Sequence, residues 1–312
     1  MIDVVIPAHI KDIDTLELCI SNIKENVIDV GRVFVISRDR LTENAEWIPE
    51  KDFPFTLDDV SDIIGKHWRT CWYYQQVLKL SAHEVVNDLC DNYLVVDSDT
   101  IFLSPTKFVD GDKTYFNIGA ENYLPYFEHM GKLMPGLTRQ TSDSGITHHM
   151  LFSRDILDEI KNDVEQRFDM PFWKAFLETT TGHFNTVMGD QSHEGQGRAS
   201  EYELYFNYCL SKYPNRVHIR KLKSILAYKE ELNNDSESHT IGSRTNDDVH
   251  IRIMGEDVPS FEDIQESFDF CINRCKELGY DSITFQKHTR QGIEGYKQDS
   301  ENYIMEVCDD TN

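Results

Sequence analysis

The amino-acid sequence predicts an α/β fold, a mixed and mainly parallel sheet flanked by helices, with a small C-terminal β-α-β extension. Three observations lead there. Ile2 to Pro7 and Arg32 to Ser37 are continuous apolar runs of strand length. Between them Leu16, Ile20 and Ile23 recur at helical spacing, and a β-α-β order of this kind closes by a right-handed parallel crossover. A third apolar run, Asn92 to Val96, stops abruptly at Asp97, where an open parallel sheet presents the carboxyl ends of its strands to ligands.

The remaining elements follow from the same periodicities. After a stretch containing Pro49 and Pro54, His67 to Leu80 (HWRTCWYYQQVLKL) has helical spacing and many aromatic residues. Short strands are expected at Thr114 to Ile118 and Thr147 to Phe152, on the acceptor side of a cleft, and helices at Ser153 to Arg167 and Pro171 to Glu178. Thr179 to Ala199 is Gly-rich and polar, the composition of a functional loop, and a helix starts at Glu201. The expected organisation is a catalytic domain over 1–230 with halves of about 1–105 and 106–230, a linker or lid over 231–248, and an extension over 249–312 packing on the core. In that extension a strand at Val249 to Met254, a helix near Phe261 to Leu278 and a strand at Ser282 to Phe285 form the β-α-β piece, before an acidic tail that frays after Ile304.

Composition narrows the function. With 39% hydrophobic and 11% aromatic residues the chain has material for a substantial core. A formal charge of −24 repels nucleic acid and anionic membranes, so neither is an expected partner. Seven cysteines form no CxxC pair, which fits reduced thiols in an intracellular compartment better than a disulfide framework or a zinc ribbon. No stretch approaches the roughly 20 apolar residues that span a bilayer, so a cytoplasmic protein without stable membrane insertion is expected.

The strongest chemical signal is YLVVDSDTIFL, in which a buried strand delivers Asp97 and Asp99, one residue apart, into a turn with Ser98 between them. Hard oxygen donors of this kind bind Mg²⁺ or Mn²⁺, and such a cation stabilises charge developing on a diphosphate leaving group. The plainer reading, that Asp and Ser are simply turn formers, is outweighed by the buried strand before them and Thr-Ile-Phe-Leu after. VIPAH at the start, WRTCWYYQQVLKL, YLVVDSDTIFL and SEYELYFNY together resemble a GT-A glycosyltransferase family known mainly from bacteria and large viruses, over about residues 2 to 210. The resemblance implies a Rossmann-like nucleotide-binding core and transfer of a hexose or pentose from a nucleotide-diphosphate sugar, UDP favoured, to a glycan or glycoprotein oligosaccharide. It implies too that Asp97 and Asp99 contact the cation and the donor ribose, with Ser98 between them, and that a C-terminal histidine, here His288, completes the cation site.

Other candidates come from position. Pro7, Ala8 and His9 leave the first strand, and Ser37 and Arg38 the second, where a nucleotide base or ribose would lie; solubility alone would explain loop residues there equally well. Arg69, Gln76 and Lys79, at i, i+7 and i+10, supply polar groups for diphosphate or sugar but are taken as spread around their helix, with Gln76 largely a packing residue. Ser200 and Glu203 form an S-x-x-E capping box, which leaves Glu201 as candidate general base and Asp190 as its alternate, a base being required only for inversion. His148 and His149, after a Gly turn, are placed at the acceptor site. Two other functions remain open: a nucleotidyltransferase, although VIPAHIKDID lacks its Gly-rich basic phosphate loop, and a non-catalytic carbohydrate-binding module.

Overall fold

The computed structural model describes residues 1–66, 69–119, 121–181, 198–228 and 264–286. In chain order these form β1 (Ile2–Pro7), α1 (Ile13–Asn26), β2 (Val30–Ser37), β3 (Glu46–Pro49), α2 (Leu57–Ile64), α3 (Thr70–Val85), β4 (Asn92–Val96), β5 (Thr100–Phe102) and β6 (Val109–Asp110). They continue with β7 (Lys113–Asn117), α4 (Leu124–Leu133), β8 (His149–Ser153), α5 (Arg154–Phe168), α6 (Phe172–Glu178), α7 (Glu201–Lys212), β9 (Val217–Arg220), β10 (Ser224–Tyr228), α8 (Ile264–Glu277) and β11 (Ser282–Gln286).

The central sheet has the order β3-β2-β1-β4-β8, and its first four strands are parallel while β8 runs antiparallel to β4. This is the mixed, mainly parallel sheet flanked by helices that the sequence predicts. Alternation along each strand separates two cores. Val5, Phe34, Ile36, Tyr93 and Val95 join residues of α3, α5, α6 and α7 in one. Val4, Ile6, Val33, Val35, Leu94 and Val96 join residues of α1, β5, α8 and β11 in the other. Burial on both faces is the reason these strands read as unbroken apolar runs rather than as alternating ones. The parallel strands deliver Pro7, Ser37, Pro49 and Val96 to one edge, and the antiparallel β8 begins at that same edge, with His149 opposite Val96.

Several elements depart from the sequence reading. β3 was hidden in the Pro-containing stretch; it is an edge strand, where Pro49 at its end removes no ladder bond that the sheet needs. α2 starts at a capping box in which the Thr56 hydroxyl accepts from the Asp59 amide at 3.2 Å and Asp59 accepts from the Thr56 amide at 2.7 Å. The strand paired in parallel with β11 is β10, a segment not foreseen as a strand, and β11 in turn pairs antiparallel with β5 in a separate three-stranded sheet. Val249 to Met254 and Asn233 to Asp248 lie outside the described residues. Phe268, Cys271, Cys275, Ile283 and Phe285 of α8 and β11 are fully buried in the core shared with α1. Among the described residues no disulfide joins Cys19, Cys71, Cys90, Cys209, Cys271 or Cys275. No described helix is long and apolar enough to cross a membrane.

Candidate active site

At the carboxyl end of β4 the chain turns through Asp97-Ser98-Asp99-Thr100, closed by the Thr100 amide donating to the Asp97 carbonyl at 3.0 Å. This is a tight turn with Asp in its first position, where that residue is favoured. It is pinned from outside the sheet as well, because the Phe285 amide of β11 donates to the Asp99 carbonyl at 2.9 Å. The antiparallel pairing of β8 with β4 sets His148 opposite Asp97, whose amide donates to the His148 carbonyl at 2.9 Å. His148 holds a left-handed backbone, φ 61°, a conformation uncommon outside glycine and consistent with a position fixed by its surroundings.

Asp97 is the centre of the site. Its Oδ1 lies 2.6 Å from the Lys79 ammonium and accepts from the Tyr202 hydroxyl at 3.1 Å, while its Oδ2 lies 3.2 Å from Nδ1 of His148. Burial by itself would raise the Asp97 carboxyl, but the charge of Lys79 and the bond from His148 outweigh it and hold Asp97 well below the usual carboxylate range. Burial would lower Lys79, yet Asp97 and Glu201 together drive it well above the usual lysine range. For His148 burial again pulls downward, and the hydrogen bond and charge of Asp97, with the charges of Asp99 and Glu121, raise it overall. Burial and the Asp97 charge raise the Tyr202 phenol, so Tyr202 remains a donor.

Lys79 reaches a second acid, Glu201, whose Oε1 is 2.7 Å from the ammonium; both side chains are almost fully buried. The Glu201 amide donates to Gln76 Oε1 at 3.1 Å, and the Lys79 nitrogen sits 4.6 Å from the centre of the Tyr202 ring. Thus α3, the turn after β4 and α7 meet at one cation, and His148 joins through Asp97. At 3.6 residues per turn Gln76 is only about 20° and Lys79 about 80° around the helix from Arg69. The expectation that they spread around it is therefore corrected: Gln76 and Lys79 both turn to Glu201. The capping box is half present. The Ser200 hydroxyl accepts from the Glu203 amide at 3.2 Å, but the Glu203 carboxylate takes the Ser144 hydroxyl at 2.6 Å and the Asn207 amide at 2.9 Å instead of returning the bond.

The other candidates lie as follows. Ser98 is buried and its hydroxyl lies 3.4 Å from Asp12 Oδ2, while Asp99 is half-buried. Pro7 and Ala8 end β1, the Ala8 amide donating to the Ile36 carbonyl at 2.9 Å, and His9 Nδ1 accepts from the Lys11 amide at 3.1 Å. Ser37 is buried with its hydroxyl on the Asp39 carbonyl at 2.7 Å, and Arg38 is exposed. Arg69 precedes α3 and stacks over Trp72 at 5.0 Å. His149 is corrected away from the acceptor site: strand alternation turns it inward, buried against Phe102 and Phe108 and bonded to Asn117. Asp190 and His288 lie outside the described residues, among which no three His, Cys, Asp or Glu side chains converge as a metal cage. Tyr202 was missed as a site residue. The readable signal nearby was Lys79 itself, a cation amid Val77, Leu78 and Leu80, which in a buried helix requires an acid.

No family model matches the chain, and no curated protein matches its sequence. Among solved structures it is similar to a galactosyltransferase, LgtC, in complex with donor and acceptor sugar analogs, at 9% identity over 96% of both chains, with a TM-score of 0.38. It is also similar to mouse xyloside xylosyltransferase 1, at 10% identity over 70% of this chain and 84% of that one, TM-score 0.36. A glycosyltransferase involved in glycosylation of the major capsid of PBCV-1 matches at 9% identity over 97% of this chain and 100% of that one, TM-score 0.36. Likeness at this level assigns no role to any residue of this chain.

Proposed function

We propose that the chain is a glycosyltransferase that moves a hexose or pentose from a nucleotide-diphosphate sugar, UDP favoured, to a glycan or glycoprotein oligosaccharide. The observation that carries the reading is the gathering of Asp97, Lys79, Glu201, Tyr202 and His148 beside Asp99 at the carboxyl edge of a parallel sheet. So many buried charges at a strand end are costly unless function retains them, and such edges are where α/β folds bind ligands. The sequence resemblance supplies the reaction class.

In this reading Asp97 and Asp99 hold Mn²⁺ or Mg²⁺. Their hard oxygens suit either ion, which commonly takes one or two carboxylates and completes its shell with water and substrate phosphates. When bound, the cation supplies Lewis-acid stabilisation of the departing diphosphate. The protein's own share is orientation. Lys79 and Tyr202 fix one oxygen of Asp97 and His148 the other, so the carboxylate presents one geometry. Lys79 fixes Glu201 at the first turn of α7, where it serves as acceptor base if the reaction inverts. Pro7 to His9, Ser37 and Arg38 line the neighbouring strand ends and bound the nucleoside.

Calorimetric titration of UDP and GDP, with Mn²⁺ and with chelator, tests this. Wild type is expected to bind UDP only with the metal, and Asp99→Ala to bind it at least tenfold more weakly. If folded wild type takes up neither nucleotide, the carbohydrate-binding module becomes the better reading.

A further inference from the structure

Beyond Glu201, away from Asp97, the N-terminal end of α3 meets the start of α4 and the approach to α7 in a group of aromatic rings and arginines. Trp72 and Tyr126 stack at 6.4 Å with 29° between their planes, and Tyr123 meets Tyr126 edge-on at 4.9 Å. Trp72 also receives Tyr73 edge-on at 5.0 Å and carries the Arg69 guanidinium over its face. Arg198 completes the group, two residues before the cap of α7: its amide donates to the Tyr73 hydroxyl at 2.9 Å and its guanidinium to the Thr180 carbonyl at 3.3 Å. Trp72, Tyr123, Arg69 and Arg198 are all half-buried, so each keeps part of its surface toward solvent. Trp72 lies one turn before Gln76 on α3, and Gln76 accepts from the Glu201 amide, so the group sits about one helical turn from the candidate base. Arg69 and Lys79 start roughly 15 Å apart along the helix at 1.5 Å per residue, and Arg69 is turned to Trp72 rather than to the Asp97 turn.

We propose that Trp72, Tyr123 and Tyr126 with Arg69 and Arg198 form the acceptor subsite, and that the acceptor is a saccharide bearing an oxyanion, a uronic-acid carboxylate or a phosphate ester. This deepens the glycosyltransferase reading and moves Arg69 from donor to acceptor. Trp72 and Tyr123, both half-exposed, offer apolar ring surface to the C–H side of a sugar, with Tyr126 buried behind them. A guanidinium stacked on such a ring keeps its N–H edge in plane, and that fork matches carboxylate or phosphate in a way that a neutral hydroxyl does not. In a chain with 31 basic against 55 acidic residues, two half-buried arginines at this surface are what let an anionic acceptor approach.

Saturation-transfer NMR with methyl β-glucuronide, glucose 6-phosphate and methyl β-glucoside tests the subsite, and calorimetry with UDP and Mn²⁺ reads the donor site separately. Wild type is expected to bind at least one anionic probe several-fold tighter than the neutral glucoside; which one identifies the oxyanion. Arg69→Ala should erase that preference and Arg69→Lys restore it in part. Trp72→Ala should weaken all three probes and Trp72→Phe recover them, with UDP binding unchanged throughout. Equal binding of the three probes, no binding of any, or Arg69→Ala losing UDP instead of the saccharide overturns the proposal. Absence of UDP binding in wild type with the saccharide pattern intact refutes the donor reading alone.

Discussion

Replacing Lys79 by Met removes the cation and keeps an unbranched stem over Tyr202. What remains is Asp97 and Glu201, each with an oxygen within 2.7 Å of the lost ammonium. Asp97 retains Tyr202 and His148 as donors, so the larger burden falls on Glu201, which is 4% exposed. Leaving a buried charge unpaired costs about 3–5 kcal/mol. For a chain of this size that is a fall in melting temperature of roughly 5–8 °C. Urea unfolding followed by tryptophan fluorescence at pH 7 measures it. The companion variant Lys79→Met, Asp97→Asn, Glu201→Gln removes all three charges and is expected to recover most of the loss, because a neutralised buried cluster escapes the desolvation cost. A Lys79→Met protein within about 1 kcal/mol of wild type would refute the claim that this ammonium is the shared counter-ion.

Three further substitutions test the surrounding structure. Ser200→Ala removes the cap of α7 and should lower stability by about 1 kcal/mol, read from the urea midpoint. Gly145→Ala would place a methyl 2.6 Å from Phe206 Cβ and 2.7 Å from its Cγ; this overpacking should cost about 1–3 kcal/mol, and a neutral result would show that α7 has room to shift. Glu50, at the end of the edge strand, is pushed up to about 7, chiefly by burial and also by Asp39, with Tyr74 and Arg38 pulling the other way. A folded state that holds this proton more tightly than the unfolded chain is stabilised below pH 4.5, and the advantage is lost as pH rises through 7. Discounted for partial exposure the effect is about 2 kcal/mol, so Glu50→Gln should gain on wild type by that amount between pH 5 and pH 8.

The parts legible in the sequence are those whose cause is local. β1, β2 and β4 could be read because both faces are buried and the runs are unbroken, and the Asp97 turn because it follows such a run directly. β3 and α2 carry weak local signals, a four-residue edge strand closed by Pro49 and a capping box with Asp in place of the usual Glu or Gln. The pairing of β10 with β11 was illegible for a different reason, since parallel partners 58 residues apart in register carry no turn signal between them. The charge cluster belongs to the same kind. Lys79 stands 18 residues before Asp97 and 122 before Glu201, and nothing in a linear pattern distinguishes a lysine aimed at ligand from one aimed at two acids.

That difference bears on what Lys79 does. Lys79 is 2% exposed and its charge lies between two carboxylates inside the protein. It ties Asp97 on the cation side of the proposed reaction to Glu201 on the acceptor side, through a single nitrogen that both share. A shift of either carboxylate must therefore be felt by the other, because the ammonium cannot stay at hydrogen-bond distance from both. Donor and acceptor halves are on this view set in register by a buried cation rather than by the backbone alone, which explains why a site built for sugar transfer would keep a charge that apolar packing could replace at no cost to the fold.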